Sequence, residues 1–61
     1  MQKIYFNPKT NHTIVDVSGI KNPKKIANEF NINIHDYQSV LVDENKEKVS
    51  IIDGKIIKTL I

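Results

Sequence analysis

The dipeptide Asp53-Gly54 stands between two short isoleucine-rich segments, and it limits the possible folds more than any other feature of the chain. Asp-Gly between β-branched residues predicts a two-residue type I′ turn that joins two antiparallel strands. Such a turn also fixes which residues lie opposite each other. The predicted pairs are Ile52 with Lys55, Ile51 with Ile56, Ser50 with Ile57 and Val49 with Lys58.

This register places apolar side chains on both faces of the hairpin. The first face carries Val49, Ile51, Ile56 and Leu60, and the second carries Ile52, Ile57 and Ile61. One short helix can cover only one of these faces. We therefore expect the other to be covered by the first hairpin of the chain, by another subunit or by a target protein.

The remaining segments predict a single α+β domain over residues 1–61, with the order β-β-α-β-β-β, an antiparallel sheet and one short helix. Residues 3–7 and 13–18 form a first hairpin around an Asn- and Pro-rich turn. The helix starts after the N-cap Asn22, with Pro23 in its first position, and ends at Asn31. A single helical turn then precedes Tyr37 and a strand over residues 39–43.

The chain is short and contains no cysteine, which excludes disulfides and thiolate metal sites. A 61-residue domain is only marginally stable, so a partner would help it. Neither a membrane-length apolar run nor a signal peptide is visible, so we expect a cytoplasmic protein. Its nine basic residues are all lysine, which weakens a nucleic-acid function because arginine is better suited to bidentate recognition.

Candidate chemical sites are few. His12 and His35 lack the spacing of metal ligands, and neither a phosphate-binding loop nor a nucleophile motif is present. We therefore expect no enzyme, no metal and no cofactor. Lys21, Lys24 and Lys25 gather at the start of the helix, where they could hold phosphate or simply form a solvated face with a Lys25–Glu29 pair.

Two resemblances add to these expectations. The segments "NPKKIANEFNI", "HDYQSVLVD" and "DGKIIK", within residues 21–58, resemble the AbrB and MazE type of swapped-hairpin transcription factors. That likeness implies an intertwined dimer that grips DNA through basic residues, although this chain has no arginine. With "KIYFNPKTN" and "IIDGKIIK", the whole chain also looks like the short orphan proteins of phages of AT-rich Firmicutes. That likeness implies binding to a host protein, including defence nucleases, in the host cytoplasm.

The leading hypothesis is a small non-enzymatic protein that binds a protein partner, either a host protein or a second copy of itself. Its predicted contact residues lie on the second hairpin face and its edge: Ile52, Ile57, Thr59 and Ile61. The alternatives are a dimeric DNA- or RNA-binding regulator that uses Lys21, Lys24 and Lys25, and a minor structural subunit of a phage particle.

Overall fold

A computed structural model describes all 61 residues. The elements follow the order β1 (Gln2–Phe6), β2 (Thr13–Asp16), α1 (Pro23–Phe30), a 3₁₀ turn (Ile34–Asp36), β3 (Gln38–Val42), β4 (Glu47–Ile52) and β5 (Lys55–Leu60). This confirms the predicted α+β class and order. The strands form two antiparallel sheets, a three-stranded sheet of order β2-β1-β3 and the β4-β5 hairpin.

Helix α1 is delimited by its own sequence. The side chain of Asn22 accepts the N–H of Lys24 at 2.9 Å, and Pro23 needs no N–H partner in the first turn. Asn31 closes the helix in the left-handed conformation at φ 54°, which asparagine tolerates well. The predicted helix boundaries are therefore confirmed. Two turns cannot stand alone, so the helix depends on packing.

Packing of α1 depends on one buried residue, Ile26. It meets Tyr5 and Ile14, which lie opposite each other on β1 and β2, and the three form one cluster. Phe30, four residues further along the same face of the helix, stays 48% exposed. The helix is thus held against one face of the three-stranded sheet mainly through Ile26.

The opposite face of the three-stranded sheet is also apolar. Side chains alternate along a strand, so Phe6 points away from Tyr5, and Val42 lies on the same side as Phe6. Phe6 and Val42 are both buried. The central sheet therefore has apolar residues on its two sides, and only one side faces the helix.

The β4-β5 hairpin covers that second side. Phe6 and Ile51 line one shared cleft, and Val40 and Ile56 line another. The turn also comes close to Pro8, since a Cβ on Gly54 would lie 3.7 Å from the Pro8 side chain. The first hairpin face is thus turned toward β1, β2 and β3, where Ile51 stays 38% exposed and Leu60, at the end of the face, 80% exposed. Of the covers expected from the sequence, the first hairpin is the one observed. The expectation that the helix would cover one hairpin face was wrong, because Ile26 packs on the opposite side of the central sheet.

The turn of this hairpin has the predicted form. Asp53 and Gly54 have φ values of 51° and 72°, the left-handed pair that a type I′ turn requires. The strand pairing follows, with Ile52 opposite Lys55 and Ile51 opposite Ile56. The register predicted from the sequence is confirmed.

Strand β2 is shorter than predicted because Asp16 redirects the chain. Its carboxylate accepts the Ser18 hydroxyl at 2.9 Å and the Lys21 N–H at 3.0 Å, and Gly19 turns the backbone at φ 70°. Burial by itself would raise the pKa of Asp16, but these hydrogen bonds outweigh it and hold that pKa below the ordinary value. The carboxylate therefore organises the loop that leads into the helix.

Candidate partner-binding face

The hairpin has a second face that no other part of the chain covers, and we call it the outer hairpin face. Pairing continues beyond β5, because the Ile61 N–H donates to the Lys46 carbonyl at 3.0 Å. Alternation along both strands then assigns eight exposed residues to this face: Lys46, Lys48, Ser50, Ile52, Lys55, Ile57, Thr59 and Ile61.

Three isoleucines form the apolar part of the outer hairpin face. Ile52 is 54% exposed, Ile57 is 42% exposed and Ile61 is 80% exposed. The structure brings together all four residues that the sequence suggested as partner contacts, these isoleucines and Thr59. Single exposed apolar residues are ordinary, but several on one face of a hairpin are typical of an interaction surface.

Lysines supply the charge of this face, and they were absent from the predicted site. Lys46, Lys48 and Lys55 share the face with the isoleucines, whereas no acidic residue does. The same two-residue alternation that placed the isoleucines also places these lysines, so the sequence contained the information. A face of one sign favours a partner of the opposite sign and opposes face-to-face packing of two copies.

A polar clasp anchors the hairpin from its covered side. Lys58 Nζ donates to the Leu41 carbonyl at 3.2 Å and lies 3.4 Å from Glu47 Oε2. Glu47 Oε1 accepts the Asp43 N–H at 3.0 Å. This backbone hydrogen bond, with the Lys58 charge, lowers the pKa of Glu47 although burial opposes the change. The outer hairpin face is thus presented on a hairpin fixed to β3.

The lysines at the start of the helix form a weaker candidate site. Lys21 Nζ pairs with Glu29 Oε2 at 3.2 Å, in place of the expected Lys25–Glu29 pair. The backbone N–H groups of Lys24, Lys25 and Ile26 all donate to Asn22. Because these donors already have partners, an anion would meet only the exposed side chains of Lys24 and Lys25.

Of the two histidines, His12 makes an internal contact and His35 is exposed to solvent. His12 Nδ1 lies 2.6 Å from the Tyr37 hydroxyl, which ties the loop between β1 and β2 to the segment after the 3₁₀ turn. The two rings also meet edge to face, with centroids 5.9 Å apart. The chain places no three His, Cys, Asp or Glu side chains where they could hold a metal ion. This pair is therefore an internal contact between two segments.

Comparison with known proteins gives no match to a family model, to a curated protein or to a solved structure. No helix of the chain has the length and hydrophobicity needed to cross a membrane.

Proposed function

We propose that this chain is a small non-enzymatic binding protein whose outer hairpin face docks on a protein partner. One observation carries the proposal: Ile52, Ile57 and Ile61 are exposed together on a hairpin that is anchored from its other side. Such a face offers an apolar centre without a large ordering cost, because the hairpin is already fixed before binding.

Burial of these side chains supplies the binding energy. Full burial of an isoleucine is worth about 1.5–3 kcal/mol relative to full exposure. The three here are about half to four-fifths exposed, so covering them contributes on the order of 4 kcal/mol before binding costs. Lys46, Lys48 and Lys55 add attraction to an acidic rim on the partner. We thus expect a partner surface with an apolar centre and surrounding carboxylates.

The resemblance to short phage proteins makes a host protein, such as a defence nuclease, the expected partner. In that setting the chain acts in the host cytoplasm and inhibits or redirects its target. Occupying a surface is sufficient for inhibition, and it needs no catalytic residue. The proposal therefore fits a chain whose outer hairpin face is exposed on a hairpin that is fixed to the rest of the fold.

Capture from a lysate of an AT-rich Firmicute tests the docking face through paired variants. Ile57→Lys puts a charge at the centre of the outer hairpin face. A protein that the wild type captures should therefore no longer be captured by this variant. Ile20→Lys is the matched control, since Ile20 is 86% exposed and lies in the loop before α1. Equal capture by the wild type and the folded Ile57→Lys variant would refute the proposed face.

The alternative is nucleic-acid binding through the helix start. The observation in its favour is the exposure of Lys24 and Lys25, neither of which makes an ion pair. It requires affinity for DNA or RNA that falls steeply with salt and disappears in a Lys21→Glu, Lys24→Glu, Lys25→Glu variant. Absence of binding at low salt would eliminate this alternative and leave the protein-binding proposal in place.

A further inference from the structure

The two edges of the β4-β5 hairpin can be assigned from its hydrogen bonds. In an antiparallel pair, hydrogen-bonded and non-hydrogen-bonded positions alternate. The Ile61–Lys46 bond marks one hydrogen-bonded position, and the residues beside the two-residue turn form another. Between these two positions, every second residue of β5 therefore directs its N–H and C=O groups away from β4. We call these three residues the free β5 edge: Ile56, Lys58 and Leu60.

Other strand edges of the molecule are shorter or partly occupied. On β3, the Leu41 carbonyl already accepts the Lys58 ammonium. On β4, the Glu47 N–H donates to the Asp43 carbonyl at 2.7 Å. The edge strand β2 has only four residues. Strands β4 and β5 both have six residues, but only the free β5 edge has no backbone group that bonds to a loop or a side chain.

A lysine on an edge strand normally discourages pairing with another chain. Lys58 does not act in this way here, because its ammonium is held by Leu41 and Glu47 against the central sheet. Leu60, the last residue of β5, is 80% exposed. Lys58 therefore does not prevent pairing at the middle of the free β5 edge, and Leu60 adds exposed apolar surface at its end.

We propose that a second copy of this chain adds to the free β5 edge, antiparallel and around a two-fold axis at Thr59. The two hairpins then form one four-stranded sheet of order β4-β5-β5-β4. Lys58 lies opposite Leu60 of the second copy, which uses the outward backbone groups of both residues. Ile57 lies opposite Ile61 of the second copy on the outer hairpin face.

Other two-fold registers fit less well. An axis at Lys58 places Ile61 opposite Lys55 of the second copy, so an exposed isoleucine would meet a charged side chain. An axis at Ile57 brings Leu60 opposite Gly54, which has the left-handed conformation of the turn and is not extended. The register at Thr59 avoids both conflicts and pairs the exposed Ile61. It also joins two outer hairpin faces into one surface, whether or not that surface binds a partner.

Proline substitution tests the edge. Leu60→Pro removes one outward N–H from each copy, a change that edge strands tolerate, while Leu60→Ala removes only the side chain. Of roughly four intermolecular backbone hydrogen bonds, about two are lost. Each lost bond raises the dimer dissociation constant about fivefold, so this constant should rise about thirtyfold in Leu60→Pro. Sedimentation equilibrium measures it, and circular dichroism verifies that each variant is folded. Leu60→Ala keeps the backbone N–H, so it should still form the dimer that Leu60→Pro weakens.

Cysteine crosslinking tests the register without depending on the proline variant, because the chain has no cysteine of its own. Thr59→Cys should form an intermolecular disulfide under mild oxidation, since directly opposite residues at non-hydrogen-bonded positions have suitably close Cα atoms. Ser50→Cys, on the same face but on β4, should not. A wild-type chain that stays monomeric at millimolar concentration, a dimer unaffected by Leu60→Pro, or equal crosslinking at both positions would overturn the proposal.

Discussion

Removing one hydroxyl from the core should stabilise this protein. The hydroxyl of Tyr5 is buried, has no hydrogen-bond partner and belongs to a residue that is 1% exposed. A buried polar group without a partner costs about 1–3 kcal/mol. Tyr5→Phe removes that cost and leaves a space smaller than a methyl group, which costs under about 1 kcal/mol. We expect a net gain of about 1 kcal/mol in the free energy of unfolding.

Tyr37→Phe is the matched control, because it is the same chemical change on the other tyrosine of the chain. The Tyr37 hydroxyl bonds to His12 Nδ1 at 2.6 Å, so its removal should cost about 0.5–1.5 kcal/mol. The two variants should therefore shift stability in opposite directions. For a domain of this size, a change of 1 kcal/mol moves Tm by about 4–8 °C.

Urea denaturation followed by far-ultraviolet circular dichroism measures both effects, and equal slopes would show that the unfolded states are comparable. A Tyr5→Phe variant destabilised as much as Tyr37→Phe would refute the reasoning. That result would mean that the Tyr5 hydroxyl makes a favourable contact in solution, such as one with a buried water.

Three further predictions concern the fold that supports the outer hairpin face. Gly19→Ala should destabilise the protein by about 1–3 kcal/mol in urea melts, because Gly19 has φ 70° and a Cβ there would lie 2.9 Å from the Met1 carbonyl oxygen. Ile26→Ala should cost about 2–5 kcal/mol and leave much of the protein unfolded by circular dichroism, since Ile26 is the only buried residue of α1. Asp16 has a lowered pKa, so its stabilising effect is present above the ordinary carboxyl pKa of about 4 and is lost as pH falls through the lowered value. Titrating unfolding from about pH 6 to about pH 2 should thus show a smaller loss of stability in Asp16→Asn than in the wild type.

Local chemistry explains what could be predicted from the sequence. The turn at Asp53-Gly54, the helix limits at Asn22 and Asn31 and the hairpin register all depend on contacts within a few residues. The exposed isoleucines were grouped correctly for the same reason, because alternation along two paired strands is a local rule. Lys46, Lys48 and Lys55 obey that rule as well, so their place on this face also follows from the sequence.

Only the tertiary structure decided which hairpin face would be covered. Both faces carry isoleucines, and a pattern with a period of two does not distinguish one side from the other. The choice depends on the shape and apolar surface that Phe6 and Val42 present, and on the clasp that Lys58 makes with Leu41 and Glu47. Those residues are far from the turn in sequence, and burial depends on all of them together. The sequence by itself therefore determined two apolar faces, and packing determined that the face of Ile52 and Ile57 is the one left open.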